Sequence, residues 1–220
     1  MQKEVKQGKC ILIGAGDLTV SELKKGEWDF CIALDGGIGY CDFLQVEPDL
    51  IIGDFDSVTE EEAKAIERIE KAFPEKVVRL KPEKDDTDML YALKYALNLG
   101  FTDFRLYGAT GGRLDHSFAN VQCLLWLKNR GAKGYLMDGN GMIFVIKDES
   151  VKFQKNMEGT LSLFSLGEAA KGVTIRGMKY PLEEYEITND FPIGISNEFL
   201  GREAEVSVKD GALVCMIHFE

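Results

Sequence analysis

Basic charge is scarce in this chain: 26 lysines and arginines stand against 37 aspartates and glutamates, for a formal net charge of -11. A general affinity for nucleic acid or for an anionic membrane needs basic stripes, and the sequence has none. No run is long and apolar enough to span a bilayer. CxxC pairs are lacking as well. The five cysteines (Cys10, Cys31, Cys41, Cys123 and Cys215) are odd in number and sit inside apolar runs. That excludes a disulfide framework and predicts reduced, buried thiols. The opening MQKEVKQGKC is charged, and the apolar run after it is too short for a signal peptide, so a cytoplasmic protein is expected. Internal repeats and low-complexity tracts are missing too. What remains is a globular composition, 45% hydrophobic and 29% charged. Its 220 residues fit one large domain or two small ones.

From residue 10 to about 139, strand-like runs alternate with helix-like ones. CILIGAG (10–16), FCIALDGG (30–37), LIIGDFDS (50–57), VVRL (77–80), FRLYGAT (104–110) and GYLMDG (134–139) are continuous apolar runs, most of them ending in Gly or Asp. Such runs suit strands buried on both faces of a parallel sheet. Thr59 with Glu62 matches a capping box before EEAKAIERIEKAF. Thr87 or Asp86 is placed to cap the next helix, which Gly100 stops, and Ser117 or Asp115 to start FANVQCLLWLKNR, which Gly131 ends. Beyond Gly139-Asn140-Gly141 the period changes. MIFVIK, VKFQK, TLSLFSL, KGVTIRGMKY and EVSVKDGALVCMIHF are short and near-alternating, and Asp210-Gly211 reads as a hairpin signal. The expectation is α/β: an N-terminal mostly parallel α/β sandwich domain plus a C-terminal antiparallel β-sandwich domain.

Three acidic clusters stand where an α/β chain builds its ligand site: Asp35 in LDGG, Asp54 and Asp56 in IIGDFDS, and Asp85 to Asp88 in KDDTD. In open α/β sheets ligands bind outside the carboxyl ends of the strands. Carboxylates converging there repel one another unless a cation joins them. Mg²⁺, which takes one or two carboxylates together with substrate phosphates, meets that need. The glycine-rich GATGGRLDH (108–116) joins a strand to a helix, where free N–H groups and the fork of Arg113 suit an anion. No Gly-Lys-Ser/Thr follows, so this is not a Walker A loop, and it is not GxGxxG. Each cluster has a plainer reading. Asp56 or Ser57 can cap a helix, acidic residues suit a first helical turn, LDGG can be an ordinary turn, and His116 a structural hydrogen-bonder. In the β region Tyr180 is either a half-exposed strand aromatic or a stacking platform, and Ser196 and Asn197 are either turn residues or hydrogen-bonders to a heteroaromatic ring.

Taken in order, LDGG, GDFDS, DDTD and GGRLDH, followed by GMKY and ISNEF, resemble the thiamin pyrophosphokinase (thiamin diphosphokinase) family from about residue 10 to the end of the chain. The resemblance implies transfer of a pyrophosphoryl group from ATP to the hydroxyl of thiamin, giving thiamin diphosphate and AMP. It implies an α/β catalytic domain at 1–140 that binds ATP and Mg²⁺, a thiamin-binding β-sandwich at 141–220, and a homodimer. Asp35, Asp54, Asp56 and Asp88 would form the catalytic cluster, with Asp54, Asp56 and Asp88 as the metal ligands. Gly36, Gly37, Asp85, Thr87, Thr110, Gly111, Gly112, Arg113 and Asp115 would face the nucleotide, and Tyr180, Ser196 and Asn197 the thiamin. Two positions depart from the family pattern. Glu83-Lys84-Asp85 stands where bacterial members commonly have Asp-Lys-Asp, and Tyr180 where some relatives have Trp.

Two rival functions follow from the same residues. Asp54-Phe55-Asp56-Ser57-Val58 matches the DxDxV nucleophile motif of haloacid-dehalogenase-type phosphatases, although that motif ends the first strand of its fold and here at least two strands precede it. A non-catalytic thiamin- or nucleotide-binding sensor is the other, and it has no need of so many carboxylates together.

Overall fold

A computed structural model describes residues 8–83 and 85–219. The charged start of the chain at residues 1–7 and Lys84 of KDDTD lie outside the described residues. The chain divides into two compact units. The first runs to Asn120 and takes in Gly131–Gly139; the second comprises Val121–Arg130 and everything from Asn140.

In the first unit β1 (Lys9–Ile13), β2 (Phe30–Leu34), β3 (Leu50–Gly53), β4 (Val77–Arg79), β5 (Asp103–Tyr107) and β6 (Lys133–Asp138) pair in parallel, in the order β4-β3-β2-β1-β5-β6. Successive side chains of a strand point to opposite faces. Ile11, Ile13, Cys31, Ala33, Ile51 and Tyr107 therefore share one face, and they pack on Ile38, Cys41 and Leu44 of α1 (Gly37–Leu44) and Ile66 of α2 (Glu60–Ala72). The alternate residues Leu12, Ile32, Ile52, Phe104 and Leu106 are equally buried on the other face. There α3 (Asp88–Asn98) lies against β1, β2 and β3, with Ala92, Leu93 and Ala96 fully buried. A sheet covered on both faces needs continuous apolar strands, which is why the runs were legible. All five cysteines are buried and free, as expected.

The caps behave as read for two helices. Thr59 Oγ1 accepts from the Glu62 N–H at 3.3 Å, and Glu62 returns a carboxylate oxygen to the Thr59 N–H at 2.7 Å. Thr87 Oγ1 accepts from the Leu90 N–H at 3.2 Å. Replacing Thr59 by Ala removes one half of the box and should cost about 0.5–2 kcal/mol. Thermal denaturation should register this as a drop of a few degrees, with kcat unchanged. The next start differs. α4 (Leu114–Lys128) begins ahead of Asp115 and Ser117, so neither is its cap; Ser117 Oγ instead bonds back to the Arg113 carbonyl at 3.3 Å. Helix α1 gave no signal in the sequence. Its N-cap is Gly36, which makes no side-chain cap bond, and Gly37 and Gly39 lie inside it. The glycines are there for clearance, because a Cβ on Gly37 would collide with the Ile13 carbonyl of β1.

The second unit is antiparallel. Strands β7 (Gly141–Lys147), β9 (Thr160–Ser165), β12 (Gly194–Glu198) and β14 (Ala212–His218) run in the order β12-β9-β14-β7. Strands β8 (Ser150–Phe153), β10 (Ala170–Arg176), β11 (Leu182–Ile187) and β13 (Ala204–Ser207) form a second sheet, β11-β10-β13-β8. Phe153 of β8 meets Phe199, just past β12, edge-to-face at 5.3 Å, tying the two sheets through their aromatics. Asp210-Gly211 is not the expected hairpin. It joins β13 to β14, which belong to different sheets, and its bonds go to Lys171 and Asp148 instead. Gly211 has the positive φ such dipeptides favour, here used to change sheets.

Candidate active site

The strand order reverses at β1: the chain builds outward through β2, β3 and β4, then returns to the other side with β5 and β6. Such a switch point opens a crevice at the carboxyl ends of the strands. Two glycine loops are zipped together there. The Gly14 N–H donates to the Tyr107 carbonyl, Gly16 N–H to Gly108, and Asp17 N–H to Thr110, all at 2.7–2.8 Å. A side chain on Gly14, Gly16 or Gly108 would meet the opposing backbone, and one on Gly111 would meet the Asp17 carboxylate. The GATGG glycines thus permit one loop to lie against the other. Sequence reasoning missed Gly14-Ala15-Gly16-Asp17. Its signal was a Gly-x-Gly at the end of the first strand, opposite the second glycine loop.

Beside this crevice, Asp35 directly follows β2, Asp54 directly follows β3 and α3 begins at Asp88. Asp35 has a left-handed backbone (φ 47°), and its Oδ1 accepts from the Phe55 N–H at 3.4 Å. Phe55 is itself left-handed (φ 60°), an unusual posture for an aromatic that turns the DFD segment back towards Asp35. Any side chain on Gly53 would run into the Asp35 carboxylate. Burial, then the charge of Asp88, with smaller contributions from Asp54 and a hydrogen bond to the Asp88 side chain, push the Asp35 carboxyl up to about 7, against the pull of the Phe55 N–H. Asp35 therefore feels two of the three other carboxylates expected to act with it. Asp56 is exposed; its N–H donates to Asp54 Oδ1 at 3.3 Å, closing an Asx turn. Asp85 is exposed and Thr87 serves as the α3 cap. Asp86, the other candidate for that cap, is instead ion-paired through both oxygens to Lys94 at 2.7 Å, one helical turn and more along α3.

No three of the described side chains form a closed metal cage. Mg²⁺ does not require one, since it keeps waters and shares its sphere with substrate phosphates. The donor set fits such a hard cation: it is all-oxygen and carboxylate, and so crowded that the charge of Asp88 helps to push up the Asp35 carboxyl.

At the start of α4, Gly111 and Gly112 have positive φ, and the exposed Arg113 is paired with Asp115 at 2.6 Å. Each holds the other in its charged form. Between the loop after β1, α1 and the start of α2 lies an open groove of about 660 Å³, lined by Ala15, Gly36, Tyr40, Phe43 and Ser57 among others. Gly36 and Ser57 border the acidic residues directly, so the groove is continuous with them in sequence and has room for a heterocyclic ring.

In the second unit, Tyr180 is 57% exposed, whereas Asn197 is 5% exposed. Ser196 is left-handed (φ 55°) at an irregularity in the β12–β9 register, and is exposed. Of the three residues expected on this side, the structure offers Tyr180 and Ser196 to solvent and encloses Asn197.

Residues 23–136 match the thiamin pyrophosphokinase catalytic domain, and residues 148–213 match the thiamin pyrophosphokinase vitamin B1 binding domain. The chain is 34% identical over 163 residues to the thiamine pyrophosphokinase of Bacillus subtilis (strain 168), covering 74% of each chain. It is similar to the crystal structure of thiamine pyrophosphokinase from Bacillus subtilis, with a TM-score of 0.84 and 29% identity over 96% of this chain and 99% of that one. The thiamin pyrophosphokinase of Geobacillus thermodenitrificans superposes with a TM-score of 0.78 at 28% identity, over 96% and 98% of the two chains. Two matched domains in order, on a fold shared along the whole chain, place this protein in the thiamin pyrophosphokinase family.

Proposed function

We propose that this enzyme transfers the pyrophosphoryl group of ATP to the hydroxyl of thiamin, releasing AMP and thiamin diphosphate. The observation that carries the reading is the gathering of Asp35, Asp54 and Asp88, just past two strands and at the start of a helix, beside two interlocked glycine loops, with the charges of Asp88 and Asp54 both acting on Asp35. So many carboxylates side by side are costly to a protein that only binds a ligand, and they suit one that holds a divalent cation against a polyphosphate. In this reading residues 1–140 carry catalysis and the ATP and Mg²⁺ sites, and residues 141–220 bind thiamin.

Asp54, Asp56 and Asp88 would hold Mg²⁺, which when bound neutralises the charge of the phosphate oxygens. Asp35 sits near neutrality, the range suited to exchanging a proton at physiological pH, and is our candidate to accept the proton of the thiamin hydroxyl. Gly36, Gly37, Asp85, Thr87, Thr110, Gly111 and Gly112 line the nucleotide side in this proposal. The Arg113 fork, committed to Asp115 in the free protein, turns to phosphate oxygens. Arg113→Ala should accordingly raise the KM for ATP about tenfold, with the KM for thiamin little changed; equal rises in both would remove Arg113 from the nucleotide side. We assign Tyr180 and Ser196 to the thiamin. The exposed Phe191, Ile193, Ile195 and Leu200, on and around β12, support a homodimer, and light scattering at working concentration tests it. The residue usage fits the cytoplasm.

ATP labelled at the β phosphorus separates this function from its rivals. Label should appear in thiamin diphosphate while AMP stays unlabelled. ADP or free phosphate as the product would move the phosphatase chemistry of Asp54 to the front, and thiamin binding without any label transfer would leave a sensor.

A further inference from the structure

Tyr180 belongs to no strand. It lies four residues past the end of β10, and its ring is exposed, with the Lys179 ammonium 5.5 Å from the centroid. Its main chain, by contrast, is held firmly. The buried side chain of Asn197 accepts the Tyr180 N–H on Oδ1 at 2.9 Å and donates from Nδ2 to the Tyr180 carbonyl at 2.7 Å. One amide thus saturates both backbone groups of one residue, doing for Tyr180 what a neighbouring strand does for a ladder residue. The clamp is continued along the residues that precede Tyr180. The Lys179 N–H donates to the Glu198 carbonyl at 3.1 Å, Met178 pairs with Phe199, and Arg202 Nε reaches the Gly177 carbonyl at 3.2 Å. The strand irregularity at Gly194 to Asn197 turns the Asn197 side chain inward, while the left-handed Ser196 beside it stays at the surface.

We infer that Asn197 is a positioning residue: it fixes the main chain of Tyr180, so that the exposed ring is presented as a platform for the flat ring of the substrate, and it does not itself touch the substrate. The inference rests on the thiamin reading above. An amide 5% exposed, with its oxygen and its nitrogen both turned to one neighbour's main chain, is enclosed away from a ligand, whereas a platform whose backbone is loose loses the alignment that stacking requires. Asn197, expected from the sequence to meet thiamin, is thereby assigned to the support of a residue that does.

A double-mutant cycle on the full-length protein tests this. Tyr180→Ala should raise the KM for thiamin. Asn197→Ala should raise it about tenfold, with kcat and the KM for ATP within twofold of the wild type, a split that general loss of structure does not produce. In the Tyr180→Ala background the same substitution should have no further effect. Asn197→Asp is the nearly isosteric second variant: it keeps the acceptor for the Tyr180 N–H but sets a carboxylate oxygen against the Tyr180 carbonyl, and should behave like Asn197→Ala. Tyr180→Trp in a Trp28→Phe, Trp126→Phe background, with and without Asn197→Asp, adds a readout free of activity, in which the anisotropy of the single tryptophan at position 180 should fall when the clamp is broken. Equal effects of Asn197→Ala with and without Tyr180 would overturn the inference, as would no effect on the KM for thiamin. Failure of the thiamin reading looks different: the wild type would not turn thiamin over, or Tyr180→Ala would leave its KM unchanged.

Discussion

Asp54→Asn should lower kcat by about three orders of magnitude while leaving the fold intact. The size follows from the position. Asp54 directly follows β3 in the crevice, its charge acting on Asp35, and in our proposal it holds the cation that neutralises the transferring phosphates. Removing one preorganised electrostatic group from a phosphoryl- or acyl-transfer site costs about 10²–10³-fold, and a lost metal ligand stands at the upper end. The fold survives because the amide keeps the shape of the side chain and still accepts the Asp56 N–H. Circular dichroism and thermal midpoint should therefore match the wild type. A variant within a few-fold of wild-type kcat would take Asp54 out of the chemistry.

Asp35→Asn should do two opposite things: abolish most activity and stabilise the metal-free protein above neutral pH. Folding raises the Asp35 carboxyl from its ordinary 3.8 to about 7. Between those values the folded state binds more proton than the unfolded one, so stability falls as pH rises. The contribution is fully present below about pH 4 and gone above about pH 7. At this partly buried site it amounts to about 1–3 kcal/mol after screening. Asparagine is neutral throughout, tolerates the left-handed backbone at position 35, accepts the Phe55 N–H and can donate to Asp88. Melting at pH 8 without metal should accordingly occur a few degrees higher in the variant, and the acid-side rise of the wild type between pH 7 and 4 should flatten. Loss of the proton acceptor should reduce kcat by about 10²–10⁴-fold. A variant as pH-dependent as the wild type would contradict the burial and charge coupling at Asp35.

These two residues also mark what the sequence made legible. Asp35 and Asp54 end strands whose apolar runs are continuous because both faces of the sheet are covered, and a carboxylate at the end of such a run is easy to read. Asp86 sat in an equally acidic stretch, yet its partner Lys94 is eight residues away on a helix, a distance that composition does not reveal. Helix α1 left no trace because glycine clearance against β1 replaced the usual cap and periodicity. Strand β11 escaped notice for a different reason: Leu182–Ile187 is an edge strand with four consecutive exposed positions, so it carries charge where a buried strand carries alternation. Asn197 is the instructive case in the second unit. Its residue type suits a polar ligand, and only the structure shows its oxygen and nitrogen turned inward to the Tyr180 main chain.

The central claim is pyrophosphoryl transfer at the acidic crevice, and the most direct measurement is simultaneous quantification of AMP and thiamin diphosphate over time in a mixture of protein, ATP, Mg²⁺ and thiamin. The account predicts equal amounts of the two products at every time point, with both abolished by EDTA. ADP or inorganic phosphate formed in place of AMP, or turnover indifferent to EDTA, would contradict it.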